Sequence, residues 1–71
     1  MKLKELLDLI DCDEIVLEIW CTTEWLFDCN KRAEVLKPYR SWIIDYITPM
    51  TVKIDDTYVT KLAIGILKEL N

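Results

Sequence analysis

Histidine is absent from this 71-residue chain, glycine occurs once and proline twice. Each shortage excludes something. Without imidazole, the commonest general base and metal ligand is missing. A single glycine cannot build a phosphate-cradling loop, and neither G-x-x-x-x-G-K-[ST] nor G-x-G-x-x-G occurs. So little Gly and Pro, with 52% apolar residues, excludes a low-complexity or disordered chain. Cys12, Cys21 and Cys29 are odd in number and form no C-x-x-C pair. They read as reduced, buried thiols acting as small core hydrophobes, not as a disulfide framework. No apolar run approaches the roughly 18 residues needed to span a bilayer. Met1-Lys2-Leu3-Lys4-Glu5 gains an acid too early for a signal peptide. Asp55-Asp56 and Asp11-x-Asp13-Glu14 lack the Gly and ligand spacing of a calcium loop and read as turn and cap residues. This inventory predicts one cytoplasmic domain over residues 1–71, with no catalytic residue, no cofactor, no metal site and no membrane partner.

What the chain does have is an uneven distribution of charge. Between Asp11 and Asn30 stand six carboxylates (Asp11, Asp13, Glu14, Glu18, Glu24, Asp28) and no Lys or Arg, together with all three cysteines, Trp20 and Trp25. The rest of the chain is mildly basic, although the net charge is −4. Bulk charge of this sign argues against direct nucleic-acid binding. Folding must offset roughly 1.5 kcal/mol of ordering entropy per residue, which leaves a domain this small little surplus and makes a homo-oligomer a reasonable expectation.

Periodicity gives the elements. Leu3, Leu6, Leu7 and Ile10 fall on one face of a short helix. Residues 15–22 alternate as a strand, Thr22-Thr23-Glu24 is a turn, and residues 25–29 return as a second strand. Residues 33–37 make a helical turn or two, closed by Pro38. Residues 42–48 alternate again, with Trp42, Ile44 and Tyr46 on one face and Pro49 at the end. Residues 51–54 and 57–67 flank Asp55-Asp56 as strands. In the last segment Ala63, Ile66, Leu67 and Leu70 suit a helix, whereas Leu62, Ile64 and Ile66 suit a strand. Gly65 costs a helix about 1 kcal/mol, so a strand through Leu67 is expected. The fold class is α+β: an N-terminal helix, a β-hairpin, a short helix, then two or three strands in a small, mainly antiparallel sheet.

Hairpin register decides which residues share a face. A two-residue loop would mix Glu18 with Trp25 and Phe27, and Asp28 with Leu17 and Ile19. A three-residue loop instead sets Leu17 opposite Cys29, Ile19 opposite Phe27 and Cys21 opposite Trp25, which makes one face wholly apolar, and burial favours it although the loop lacks the usual Gly. On the other face Glu18 then opposes Asp28, and Trp20 opposes Leu26. Opposed like charges destabilise a sheet. A partner's Lys or Arg would relieve them, with a cation–π contact from the indole. Glu18, Trp20, Leu26 and Asp28, with Glu24 at the rim, are therefore the candidate partner-binding residues. The competing readings are that the molecule's own helix covers this face, or that the acid pair simply separates in solvent.

The order Lys2-Leu3-x-x-Leu6-Leu7-x-x-Ile10, an acidic turn, Ile15-Val16-Leu17-Glu18-Ile19, Leu26-Phe27-Asp28, a short helix at residues 33–36, Ile43-x-x-x-Ile47 and Leu62-Ala63-Ile64-Gly65-Ile66 resembles a broad group of small proteins encoded by phages and prophages of Gram-positive bacteria. The chain departs from them at Cys29 and Asn30, where a Gly commonly follows the second strand, and in its number of tryptophans. The resemblance implies a context: small acidic phage proteins often bind and inhibit host machinery, including CRISPR, restriction and signalling defences.

The leading expectation is a non-enzymatic, acidic binding protein in a bacterial host cell that docks a basic surface of a host protein, as an anti-defence inhibitor does. One alternative is an oligomeric sponge that sequesters a nucleotide or another small signal, for which Lys31, Arg32, Lys37, Tyr39 and Arg40 form the one basic-aromatic neighbourhood. Another is a self-associating virion or assembly component.

Overall fold

The computed structural model of the protein describes residues 1–68. Helix α1 (Leu3–Leu9) is followed by strands β1 (Val16–Cys21) and β2 (Glu24–Cys29), a 3-10 helix (Glu34–Tyr39), and strands β3 (Ile43–Ile54) and β4 (Thr57–Leu67). The strands form one sheet in the order β2-β1-β4-β3. β1–β2 and β3–β4 are antiparallel, whereas β1 and β4 run parallel. The domain is thus α+β with a mixed sheet. The central parallel pair arises because the segment after β2 crosses one sheet face to the far edge, and the β3–β4 hairpin then returns to β1.

Seven residues are too few for a helix to persist alone. α1 forms because Leu3 and Leu7 are buried and its first turn is bonded to the chain ahead of β3. Leu3 N–H donates to Trp42 O at 2.8 Å and Lys4 N–H to Arg40 O at 3.0 Å. Glu5 accepts from the Lys2 N–H at 3.2 Å, which is half of a capping box. An ammonium cannot accept a hydrogen bond, so the Lys2 side chain does not supply the other half. From the crossing segment, Leu36 enters the same core as Leu3, Leu7, Leu17, Ile19, Ile64 and Ile66. The 3-10 helix runs through Pro38 to Tyr39, past the expected stop. Tyr39 packs edge-on to Trp42 (centroids 4.9 Å) and against Phe27 (5.7 Å). All the helical structure therefore lies on one sheet face, with Leu17, Ile19, Ile64 and Ile66 beneath it.

Two expectations for β3 fail. Pro49 does not end the strand, because β3 is an edge and a residue without an N–H is tolerated there. The alternation of residues 42–48 also breaks, since the register shifts between Ile44 and Tyr46. Trp42 and Ile44 pack on the core, while Tyr46 moves to the opposite face and Ile47 pairs with Ile64. The last strand continues to Leu67, as expected, and Leu70 lies outside the described residues. Pairing of β1 with β4 spans only Lys61 to Ile66, so the rest of the β3–β4 hairpin projects as a two-stranded ribbon. It makes the molecule 46 Å long by 25 by 18 Å.

Both hairpin turns demand left-handed backbone. Asp55 and Asp56 have φ of 49° and 63°, as a type I′ turn requires. Thr22 has φ of 59°, a costly conformation for a β-branched residue. Thr22→Gly is expected to raise the unfolding free energy by about 1 kcal/mol, read as a higher urea midpoint with unchanged slope.

Candidate functional site

The sheet face away from the helices carries the side chains singled out in β1 and β2, but the hairpin sorts them differently from expectation. Leu17–Cys29, Glu18–Asp28 and Ile19–Phe27 pair as predicted. Between Ile19 and Trp20 the register then shifts, so Trp20 opposes Trp25 and Cys21 opposes Glu24. The loop is Thr22-Thr23 rather than three residues, and Leu26 is the extra residue of a bulge. Leu26 accordingly packs against the core instead of facing Trp20. Trp25, expected in the core, shares the open face with Trp20 and is 52% exposed. Glu24 stands exposed at the turn opposite Cys21, so by register it belongs to the face of Leu17 and Ile19 and borders the tryptophan pair only at the hairpin end. Without the bulge, Trp25 and Asp28 could not share a face, since residues three apart on a regular strand point oppositely.

The opposed acids are not left for a partner's cation. Lys61 of β4 places Nζ 3.5 Å from Glu18 Oε2 and 3.4 Å from Asp28 Oδ2. The two remaining carboxylate oxygens each take an indole N–H: Trp20 Nε1 donates to Glu18 Oε1 at 3.2 Å, and Trp25 Nε1 to Asp28 Oδ1 at 2.8 Å. Two carboxylates, two tryptophans and one lysine thus form a closed network in which every acid oxygen has a partner. Glu18 is mostly buried in it, at 13% side-chain exposure. The network fixes each indole by its nitrogen; Trp25 remains exposed beyond it, and Trp20 is half-buried. Lys61 was not anticipated, because it lies 33 positions from Asp28 and is brought there by the parallel β1–β4 pairing.

Other open-face positions follow from the register. Ala63, Gly65 and Leu67 of β4 pair with Thr48, Tyr46 and Ile43 of β3, and Val52 pairs with Val59 in the ribbon. The Tyr46 ring lies directly on Gly65, where an added Cβ would fall 2.1 Å from its Cε1. Exposed apolar side chains on this face include Ile43, Ile54 and Leu67 besides Trp25. Among the described residues no helix covers it.

The thiols divide by position. All three are free; Cys12 is exposed, against expectation, while Cys21 and Cys29 are half-buried. Burial and then the Asp28 charge push the Cys29 thiol up to about 11, so it is protonated at neutral pH and a poor nucleophile. Among the described residues no three Cys, Asp or Glu side chains gather as a metal ion would need.

On the helical side lies an open cleft of about 530 Å³ lined by Lys4, Leu7, Asp8, Lys31, Arg32 and Arg40. Three members of the expected basic neighbourhood meet there. Lys37 instead pairs with Glu34 at 2.9 Å, and Tyr39 turns into the aromatic packing of the core. Lys4 is a member the sequence reading missed. Lys31 donates to Ile10 O at the end of α1 and lies 3.4 Å from Asp13, which Arg32 Nε reaches at 3.0 Å. The Arg32 guanidinium, aided by Lys31 and opposed by desolvation, holds the Asp13 carboxyl below its usual range.

Fold and site together define a small mixed-sheet domain with one face covered by helices and one aromatic, acidic face left open. No protein-family model, curated protein or solved structure matches the chain. Among the described residues no helix is long and apolar enough to cross a membrane.

Proposed function

We propose that the protein is a non-enzymatic binding protein that docks a basic protein surface onto its open sheet face. The observation that supports this most directly is the pair Trp20 and Trp25, held side by side on an uncovered face by hydrogen bonds from their own nitrogens to Glu18 and Asp28. Tryptophan is the residue most often found at the energetic centre of protein interfaces. Orienting both rings in advance lowers the entropy lost on binding. Two carboxylates against one ammonium leave the face negative, and Glu24 adds a charge at the adjoining hairpin end. That charge favours a Lys- and Arg-bearing partner, which the indoles can also meet by cation–π contact. It disfavours packing of this face on its own copy, where like charges would meet. The resemblance to small phage-encoded proteins suggests a partner class, a host defence protein with a nucleic-acid-binding surface.

Because Glu18 is tied to Lys61 and Trp20, its reversal would disturb the sheet, and Glu24→Lys is the cleaner charge test. Trp20→Ala, Trp25→Ala and Glu24→Lys are expected to weaken capture of a bound protein by about tenfold, about tenfold and severalfold respectively. Lys37→Ala, on the opposite side, is expected to have no effect. Equal capture by all four variants contradicts the proposal.

A further inference from the structure

The cleft on the helical side points to a second binding site, independent of the open face. We propose that it holds a small, multiply charged phosphate compound through Arg40 and Lys4, with Arg32 and Lys31 supplying the surrounding field. The chain has 13 carboxylates and nine Lys and Arg residues, so internal pairing is readily available. Lys37, Lys53, Lys61, Lys31 and Arg32 all use it. Among the described residues, only Lys4, Arg40 and Lys68 are Lys or Arg side chains with no ion pair or hydrogen bond, and two of these three line one cleft.

The walls are also fixed relative to each other. Lys4 N–H donates to the Arg40 carbonyl at 3.0 Å, which sets the two residues across one backbone bond. At the other end, the Lys31 ammonium is anchored on the Ile10 carbonyl. Leu7, nearly buried, lines the cleft with them, and Asp8 is its single acid. Four cations line the cleft against Asp8, and Asp13 engages two of them from outside it, so a surplus of two positive charges remains to select an anion with several charges. Arg40 offers a planar fork that matches two phosphate oxygens, and Lys4 a point charge. No aromatic side chain lines the cleft, so recognition is of the phosphates and not of an attached base.

Titration of the full chain with inorganic triphosphate at low ionic strength tests this by calorimetry. One-to-one saturable binding is expected, weakened about tenfold by Arg40→Ala and again by Lys4→Ala. Both side chains are exposed and unpaired, so neither change threatens the fold. Lys37→Ala and Lys53→Ala remove the same charge elsewhere and are expected to change the affinity less than about twofold at moderate salt. Adenosine triphosphate is expected to bind as triphosphate does. The double variant Trp20→Ala Trp25→Ala is expected to retain triphosphate binding, which separates this site from the docking face. Absence of saturation at millimolar triphosphate, or equal weakening by the Lys37 and Lys53 variants, overturns the proposal. Binding of a phosphoserine peptide or of anionic vesicles without binding of triphosphate also overturns it.

Discussion

Lys61→Glu is expected to lower the unfolding free energy by about 3 kcal/mol, because a buried-side counter-ion becomes a third acid. In the native sheet, Lys61 lies between Glu18 and Asp28 at 3.5 and 3.4 Å, and is itself only 18% exposed. Reversal removes both attractions and sets three carboxylates around one point, where mutual screening by water is limited. Lys61→Met keeps the aliphatic stem and removes only the charge, so its cost should be smaller, about 1–2 kcal/mol. The difference between the two variants should shrink as salt is added. Chemical unfolding of the three proteins at low and high ionic strength checks this. Equal stability of Lys61→Glu and the unchanged chain would mean that the acid pair is held apart by solvent and that the network is not formed.

The next largest effect falls on Gly65. An alanine there places its Cβ 2.1 Å from Tyr46 Cε1 and 2.4 Å from Cδ1, so the ring must leave the strand it covers. Overpacking of this kind costs about 2 kcal/mol, a large share of the roughly 5 kcal/mol a domain of this size possesses. The cost should depend on the ring. In a Tyr46→Ala background, Gly65→Ala should be neutral or mildly stabilising, since glycine weakens a strand interior. A double-mutant cycle by denaturant unfolding measures this coupling. Additive losses would show that Tyr46 does not rest on Gly65.

These two residues also show where the sequence stopped being legible. Short-range pattern served well: the face Leu3, Leu6, Leu7 and Ile10 makes α1, Asp55-Asp56 makes a turn, and Glu18 does oppose Asp28. The departures come from single-residue register shifts. A bulge removes Leu26 from the open face and adds Trp25, and another sends Tyr46 across the sheet. Neither site has the glycine that often marks a bulge, so local chemistry carried no signal of them. Lys61 was missed for a different reason. A parallel pairing joins segments about 45 residues apart, such as Val16 with Lys61, and local periodicity carries no information on which strands become neighbours. The acid pair was therefore visible while its counter-ion was not. In the basic neighbourhood, Lys31, Arg32 and Arg40 were close enough in sequence to be seen together, but Lys4 joins them only through the docking of α1.

The central claim, that the open sheet face receives a basic protein, is tested most directly by site-specific photo-crosslinking in the cells that make the protein. A photoreactive amino acid at Trp25 reports on the open face, and one at Val35, which is 46% exposed on the helical side, serves as the reference. The account predicts a discrete adduct from position 25, mapped to a Lys- and Arg-rich surface and reduced by Glu24→Lys, with none from position 35. An adduct from position 35 with none from position 25, or an adduct from position 25 only to a second copy of the chain, would contradict it.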